Sequence, residues 1–176
     1  TANSAHACHR SDLPDAGSEY LLRRWGGGGE AAKGERTVDD VWLRTVTTNI
    51  RGGVAETERD ANSMFVFEVA GLCILHLGHL HHVLTEDHLK ALGRIDVVLA
   101  PVDGSYTLDV DGMIETLQAL QVPLVIPMHY FGASTLNRFL VRMGDHYAVV
   151  LSDSPSVTMS RDSLPFLPTL LALPVY

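Results

Sequence analysis

Three short apolar runs, at residues 72–77, 95–101 and 124–128, are separated by two stretches with helical spacing. Runs of this length alternating with helical periods predict strands of one sheet covered by helices. Thr85 is placed to cap a helix that ends at Leu92, with Gly93 as its stop. Asp109 caps a second, whose buried face carries Met113, Ile114, Leu117 and Leu120 and which ends before Pro123. A third starts at Ser134 or Thr135 and runs to Met143, stopped by Gly144. Residues 41–48 alternate and are rich in β-branched side chains, which predicts a strand. A further strand from Met64 to Val69 turns through Ala70-Gly71 into the run at 72–77, forming a hairpin. Residues 49–62 read as a polar connection, 146–151 and 156–160 as strands, and 19–25 as a short strand. The tail from Leu164 carries three prolines and reads as an irregular apolar strap. The pattern shows no internal repeat and no linker, so residues 1–176 are expected to form a single α/β domain.

Each apolar run ends in a turn with polar side chains. The first ends at Gly78-His79-Leu80-His81-His82, the second at Asp103-Gly104-Ser105, the third at His129-Tyr130. Open sheets carry their chemistry at the carboxyl ends of strands, so the two imidazole-bearing turns are expected to converge. That convergence is the residue-level case for a metal site. Nine histidines are present, and five of them (76, 79, 81, 82 and 88) crowd into thirteen residues.

Composition narrows the classes. A net charge of −8 excludes a general nucleic-acid binder, because little would neutralise a phosphate backbone. No apolar run is long enough to span a bilayer and no signal peptide is visible, so a cytoplasmic protein without a membrane partner is expected. Two cysteines make no disulfide framework, and Cys73, inside an apolar strand, reads as a small core residue. Four glycines at 26–29 read as a surface loop and not a phosphate cradle, since no GK[ST] follows. Near the start, His6-Ala7-Cys8-His9 offers two imidazoles and a thiol, the donors zinc prefers.

Taken together, Leu77-Gly78-His79-Leu80-His81-His82, Leu84-Thr85, Pro101-Val102-Asp103-Gly104-Ser105-Tyr106-Thr107 and Ile126-Pro127-Met128-His129-Tyr130 form an ordered set. The set resembles the metallo-β-lactamase superfamily, in the branch of zinc-dependent hydrolases that includes the ascorbate-6-phosphate lactonases. That branch carries LGD-x-GH, LT-x-x-x-L, PVGG-x-YT and IPMHY in this order. The likeness covers about residues 40–132. It implies an αββα sandwich with a dinuclear site at one edge of the sheets, and further strands ahead of the metal motif that would precede Thr1.

The resemblance also implies a site with departures. The family motif H-x-H-x-D-H corresponds to Ser4-Ala5-His6-Ala7-Cys8-His9, so Ser4 replaces its first His and Cys8 its Asp. The next family ligand falls near Asn49 or Ile50, where no histidine stands, and the bridging Asp of LGD is His79. His6, His9 and His129 match, and His82 matches the outer His of GH. The expected metal ligands are therefore His6, Cys8, His9, His79 and His129. His82, Asp103 and Tyr130 are expected around them or on the substrate. Replacing a carboxylate that spans two cations about 3.5–4 Å apart weakens a two-metal hydroxide mechanism, while His and Cys donors suit one tetrahedral zinc.

Other residues have plainer expected roles. His76 is expected to satisfy a core hydrogen bond, His81 to face solvent or crowd the pocket, and His88 to be inert on an exposed helix face. Asp103 is expected to make an Asx-turn or partly replace a lost ligand, and Tyr106 to pack.

The reading that follows is a hydrolase acting on an ester, lactone or phosphoester of a small-molecule substrate through water activated by one or two zinc ions. Its rival is a member of the same fold that has lost the metal and serves in binding or assembly. A third reading makes the chain a fragment whose missing strands come from another chain or from a homo-oligomer, since an open sheet edge favours pairing.

Overall fold

The computed structural model describes residues 34–51 and 57–174. Among them, eight strands form one sheet: β1 (Glu35–Val38), β2 (Val41–Arg51), β3 (Thr57–Val69), β4 (Leu72–His76), β5 (Val97–Pro101), β6 (Leu124–Met128), β7 (Ala148–Leu151) and β8 (Thr169–Ala172). Their spatial order is β1-β2-β3-β4-β5-β6-β8-β7. The first four pair antiparallel as successive hairpins, and from β4 onward every pairing is parallel. The change of direction follows from the connections. Two-residue turns such as Ala70-Gly71, both at positive φ, return the chain antiparallel. Helices α1 (Glu86–Leu92), α2 (Val110–Leu120) and α3 (Ala133–Met143) carry it over to parallel strands.

All three helices cover the same face. Leu92, Met113, Ile114, Leu117, Leu136, Phe139, Leu140 and Met143 are buried in one cluster with Val66, Leu75, Val98, Ala100, Val125 and Leu170 of the sheet. Strand alternation sends Val97, Leu124 and Ile126 to the opposite face, where Met159, Leu164 and Leu173 pack on them. The described residues thus build one sheet with helices on one side, and this sheet carries the 40–132 motifs. No helix among them is long and apolar enough to cross a membrane.

The predicted ends of α1 and the predicted start of α2 agree: Thr85 and Asp109 cap α1 and α2 with their side chains, and Gly93 ends α1. The third helix starts earlier than Ser134 or Thr135, at Ala133 after Gly132, with no side-chain cap.

Four expectations are corrected. Residues 49–62 are not a connection: β2 runs to Arg51 and β3 begins at Thr57, with an irregularity between Thr48 and Ile50. Polar cross-strand contacts hold this end of the pair, through Thr47 Oγ1 donating to Asp60 and the Asp60 amide to Asn49 Oδ1. Residues 156–160 form no strand; just ahead of them the Ser152 and Ser154 hydroxyls accept from the amides of Ser154 and Ser156 and curl the chain. The tail is not an irregular strap, since Thr169–Ala172 inserts as β8 between β6 and β7. Pro168 and Pro174 flank its ladder without interrupting it. β7 starts at Ala148 because the amides of His146 and Tyr147 both bond to Met143 O and finish α3 as a turn. The expected strand at 19–25 and the donors His6, Cys8 and His9 lie outside the described residues.

Candidate functional site

The parallel order sets β4, β5 and β6 side by side, so the turns after them meet at one edge of the sheet. The register places His76 beside Leu99, and Pro101 beside Met128. His79, Asp103 and His129 follow those strands within a few residues.

The turn after β5 is built on Asp103, whose side chain is fully buried. Its Oδ1 accepts from the amides of Ser105, Tyr106 and Thr107, and Oδ2 accepts from the Thr107 hydroxyl at 2.6 Å. Burial alone would push this carboxyl up. The Thr107 hydroxyl and the three amides outweigh it and hold Asp103 well below the usual carboxylate range. Glycine is needed at 104: φ is +69, and a Cβ there would meet Val110 Cγ2 at 3.0 Å.

Oδ2 of Asp103 also lies 3.0 Å from His129 Nδ1. An ionised carboxylate is acceptor-only, so this contact makes Nδ1 a protonated nitrogen and turns Nε2 to the other side of the ring. His129 itself has φ 53. That conformation costs a residue with a Cβ about 1–2 kcal/mol, and such strain concentrates at functional sites. A histidine fixed through Nδ1 on a carboxylate, with Nε2 as donor atom, is the arrangement found behind metal-bound imidazoles.

Beside His129 stands His79, with ring centroids 5.2 Å apart. His81 follows, 4.9 Å from His79. The His79 amide donates to Oδ1 of Asn62 at 2.7 Å, while Asn62 Nδ2 donates to Thr48 Oγ1 and Leu77 O. Asn62 is fully buried on β3 and braces the turn after β4. Arg51 closes the other side, donating through Nε to His81 Nδ1 and through Nη2 to the carbonyls of Ser105 and Thr107. Arg138 on α3 donates to Asp103 O at 3.4 Å. His81 therefore neither faces solvent alone nor merely crowds a pocket; it takes part in this network.

The remaining candidates have backbone partners. His82 Nε2 accepts from the Asn49 amide, and its Nδ1 lies 2.9 Å from Val83 O. Tyr130 donates to Leu173 O and packs on the core. His76 Nδ1 accepts from the Gly78 amide. His88 is not inert: its Nδ1 accepts from the Thr85 amide and completes the capping box of α1. Tyr106 does not pack into the core; it is 65% exposed and edge-on to Phe131. Asn62, Arg51, Arg138 and Phe131 were not singled out from the sequence. Of these, Asn62 alone left a signal, a polar residue in step with Met64 and Val66 on the core-facing side of a strand.

Among the described residues, no group of three or more His, Cys, Asp or Glu side chains is arranged to hold a metal ion. His79 and His129 are brought together, and the chemistry of His129 fits a metal donor. The other three expected donors lie outside the described residues.

A mixed sheet with helices on one face and histidine turns at the carboxyl edge of its parallel strands agrees with the metallo-β-lactamase fold of its relatives. The family described as "Beta-lactamase superfamily domain" matches residues 1–129, and the chain belongs to that family. A UPF0173 metal-dependent hydrolase of Thermoplasma acidophilum is 38% identical over 66 residues, covering 38% of this chain and 29% of that protein. One from Alkaliphilus metalliredigens is 32% identical over 103 residues, covering 55% and 45%. The matched stretches thus span less than half of these curated relatives. A crystal structure from Thermotoga maritima, assigned to the Zn-dependent hydrolases of the metallo-beta-lactamase superfamily, superposes with a TM-score of 0.63 at 29% identity. It covers 83% of this chain and 71% of that one.

Proposed function

We propose that this chain carries the carboxyl-terminal part of a metal-dependent hydrolase site acting on an ester, lactone or phosphoester of a small molecule. The observation that supports it best is the Asp103–His129 pair, which fixes the His129 ring through Nδ1 beside His79. On this reading His129 and His79, with His6, Cys8 and His9, would hold zinc. The metal, when bound, supplies a water of lowered pKa and a Lewis acid for the substrate oxygen. Asp103 keeps His129 in one tautomer and orientation. Asn62 braces the His79 turn and Arg51 ties it to the Asp103 turn, so that these turns would reorganise little on binding.

The relatives named above as metal-dependent hydrolases support the same reading. Its test is metal content by elemental mass spectrometry on untagged protein, before and after dialysis against chelator, paired with an esterase and phosphodiesterase screen. Bound metal and an activity lost with chelator and in His129→Ala are expected. Absence of metal above background, with folding indifferent to added zinc, would overturn it in favour of a binding or assembly protein of the same fold.

A further inference from the structure

At the mouth of this site stand two large aromatic rings that the core does not use. Tyr106 is 65% exposed and Phe131 69% exposed. They meet edge to face, with centroids 5.5 Å apart and planes at 79°. Phe131 in turn lies edge-on to His129, again 5.5 Å between centroids. The three rings therefore form one continuous surface that begins at the imidazole of the proposed centre.

The backbone places both outer rings. The Tyr106 amide is held by Asp103 Oδ1, and Phe131 stands two residues past His129 and just ahead of α3. Scattered exposed apolar residues are ordinary on a protein surface, but two contacting rings fixed beside a functional imidazole are not scattered. Aromatic side chains lose little rotamer freedom on contact, and their quadrupoles favour a second aromatic ring in offset or edge-on contact over an aliphatic chain. The short reach from Phe131 to His129 sets the position of a bound ring close to the atoms that His129 would serve.

We infer that Tyr106 and Phe131 form a recognition surface for a planar aromatic group, so that the substrate is an aryl ester or aryl phosphoester. This rests on the hydrolase reading for the identity of the bond cut, while the binding of an aromatic group stands apart from it. The occupant is a small molecule, because the surface is only two rings wide and is continuous with the imidazole.

The test uses the full chain with its metal and the exposed-site variants Phe131→Ala, Phe131→Trp and Tyr106→Ala. Steady-state hydrolysis is compared for 2-naphthyl acetate and ethyl acetate, and binding of 2-naphthol is followed by saturation-transfer NMR. Phe131→Ala and Tyr106→Ala should each raise KM for the naphthyl ester roughly two- to tenfold. They should lower kcat/KM for the naphthyl ester relative to ethyl acetate by about the same factor, and Phe131→Trp should restore KM. Naphthol binding should weaken in parallel. Equal changes for both esters, or naphthol binding indifferent to both alanine variants, would overturn the inference while leaving a hydrolase standing. Naphthol binding lost in the variants of a protein that holds metal but hydrolyses neither ester nor 2-naphthyl phosphate would keep the aromatic surface and overturn the aryl ester and phosphoester substrate. Circular dichroism of each variant keeps a folding defect from counting as either.

Discussion

Asp103 Oδ2 lies 3.0 Å from His129 Nδ1, and the same carboxylate accepts three backbone amides and the Thr107 hydroxyl. One side chain thus shapes the turn after β5 and orients the imidazole after β6. Loss of the carboxylate is expected to act on both. Asp103→Ala would strand buried donors and should cost about 3 kcal/mol or more, measured by urea denaturation. Asp103→Asn should cost less, since its carbonyl still accepts, but it should weaken metal retention because the His129 tautomer is no longer set by a charge. Unchanged stability in Asp103→Ala would remove Asp103 from this role.

The same group predicts an acid limit. The folded carboxyl is held below its ordinary value, so in acid the unfolded chain takes up this proton first. Its contribution is complete above the unfolded value of about 3.9 and falls away as pH drops through the folded one. Unfolding free energy should decline below that point in the wild type and decline less steeply in Asp103→Asn. Parallel curves would contradict it.

His76 acts in a higher window. Burial lowers its pKa from 6.5, and its Nδ1 accepts from the Gly78 amide as only a neutral ring can. Below 6.5 the unfolded state binds the proton first, so stability falls with pH until the folded ring also titrates. Replacing it by Gln, which can also accept, should flatten the slope of melting temperature between neutral pH and pH 5. Persistence of the full slope would point to another group.

Asn62 is a structural brace. Asn62→Ala would leave Leu77 O and the His79 amide without their partner and should cost about 2–4 kcal/mol. Asn62→Asp should also destabilise, since the carboxylate keeps the His79 contact but cannot donate to Leu77 O or Thr48. Chemical denaturation decides. A loss under about 0.5 kcal/mol, the range of ordinary surface changes, would rule the brace out.

β8 supplies a central part of the core. Leu170 is fully buried against the helices, so Leu170→Ala should cost about 2–5 kcal/mol. An irregular surface strap would tolerate the change, and thermal unfolding separates the two.

Much of this fold was legible along the chain because its signals are local. Thr85, Asp109 and Gly93 act on amides and carbonyls within one helical turn, and the apolar periods at 72–77, 95–101 and 124–128 record burial directly. The motifs around His79, Asp103 and His129 led to the right family because strand ends and their turns are contiguous stretches of sequence.

What only tertiary structure decided depends on neighbours far away in the chain. Thr169–Ala172 becomes a strand because β6 and β7 offer ladders on both its edges, which outweighs the prolines nearby. Asn62 reads as a polar loop residue until Leu77 O and the His79 amide come to meet it. Phe131 looks like one exposed ring until Tyr106, far back along the chain, meets it edge to face. A hydrogen bond or ring contact between residues tens of positions apart leaves no periodicity in either segment. The sequence alone therefore determined the strand–helix framework and the family, and the tertiary structure decided which side chains share a site.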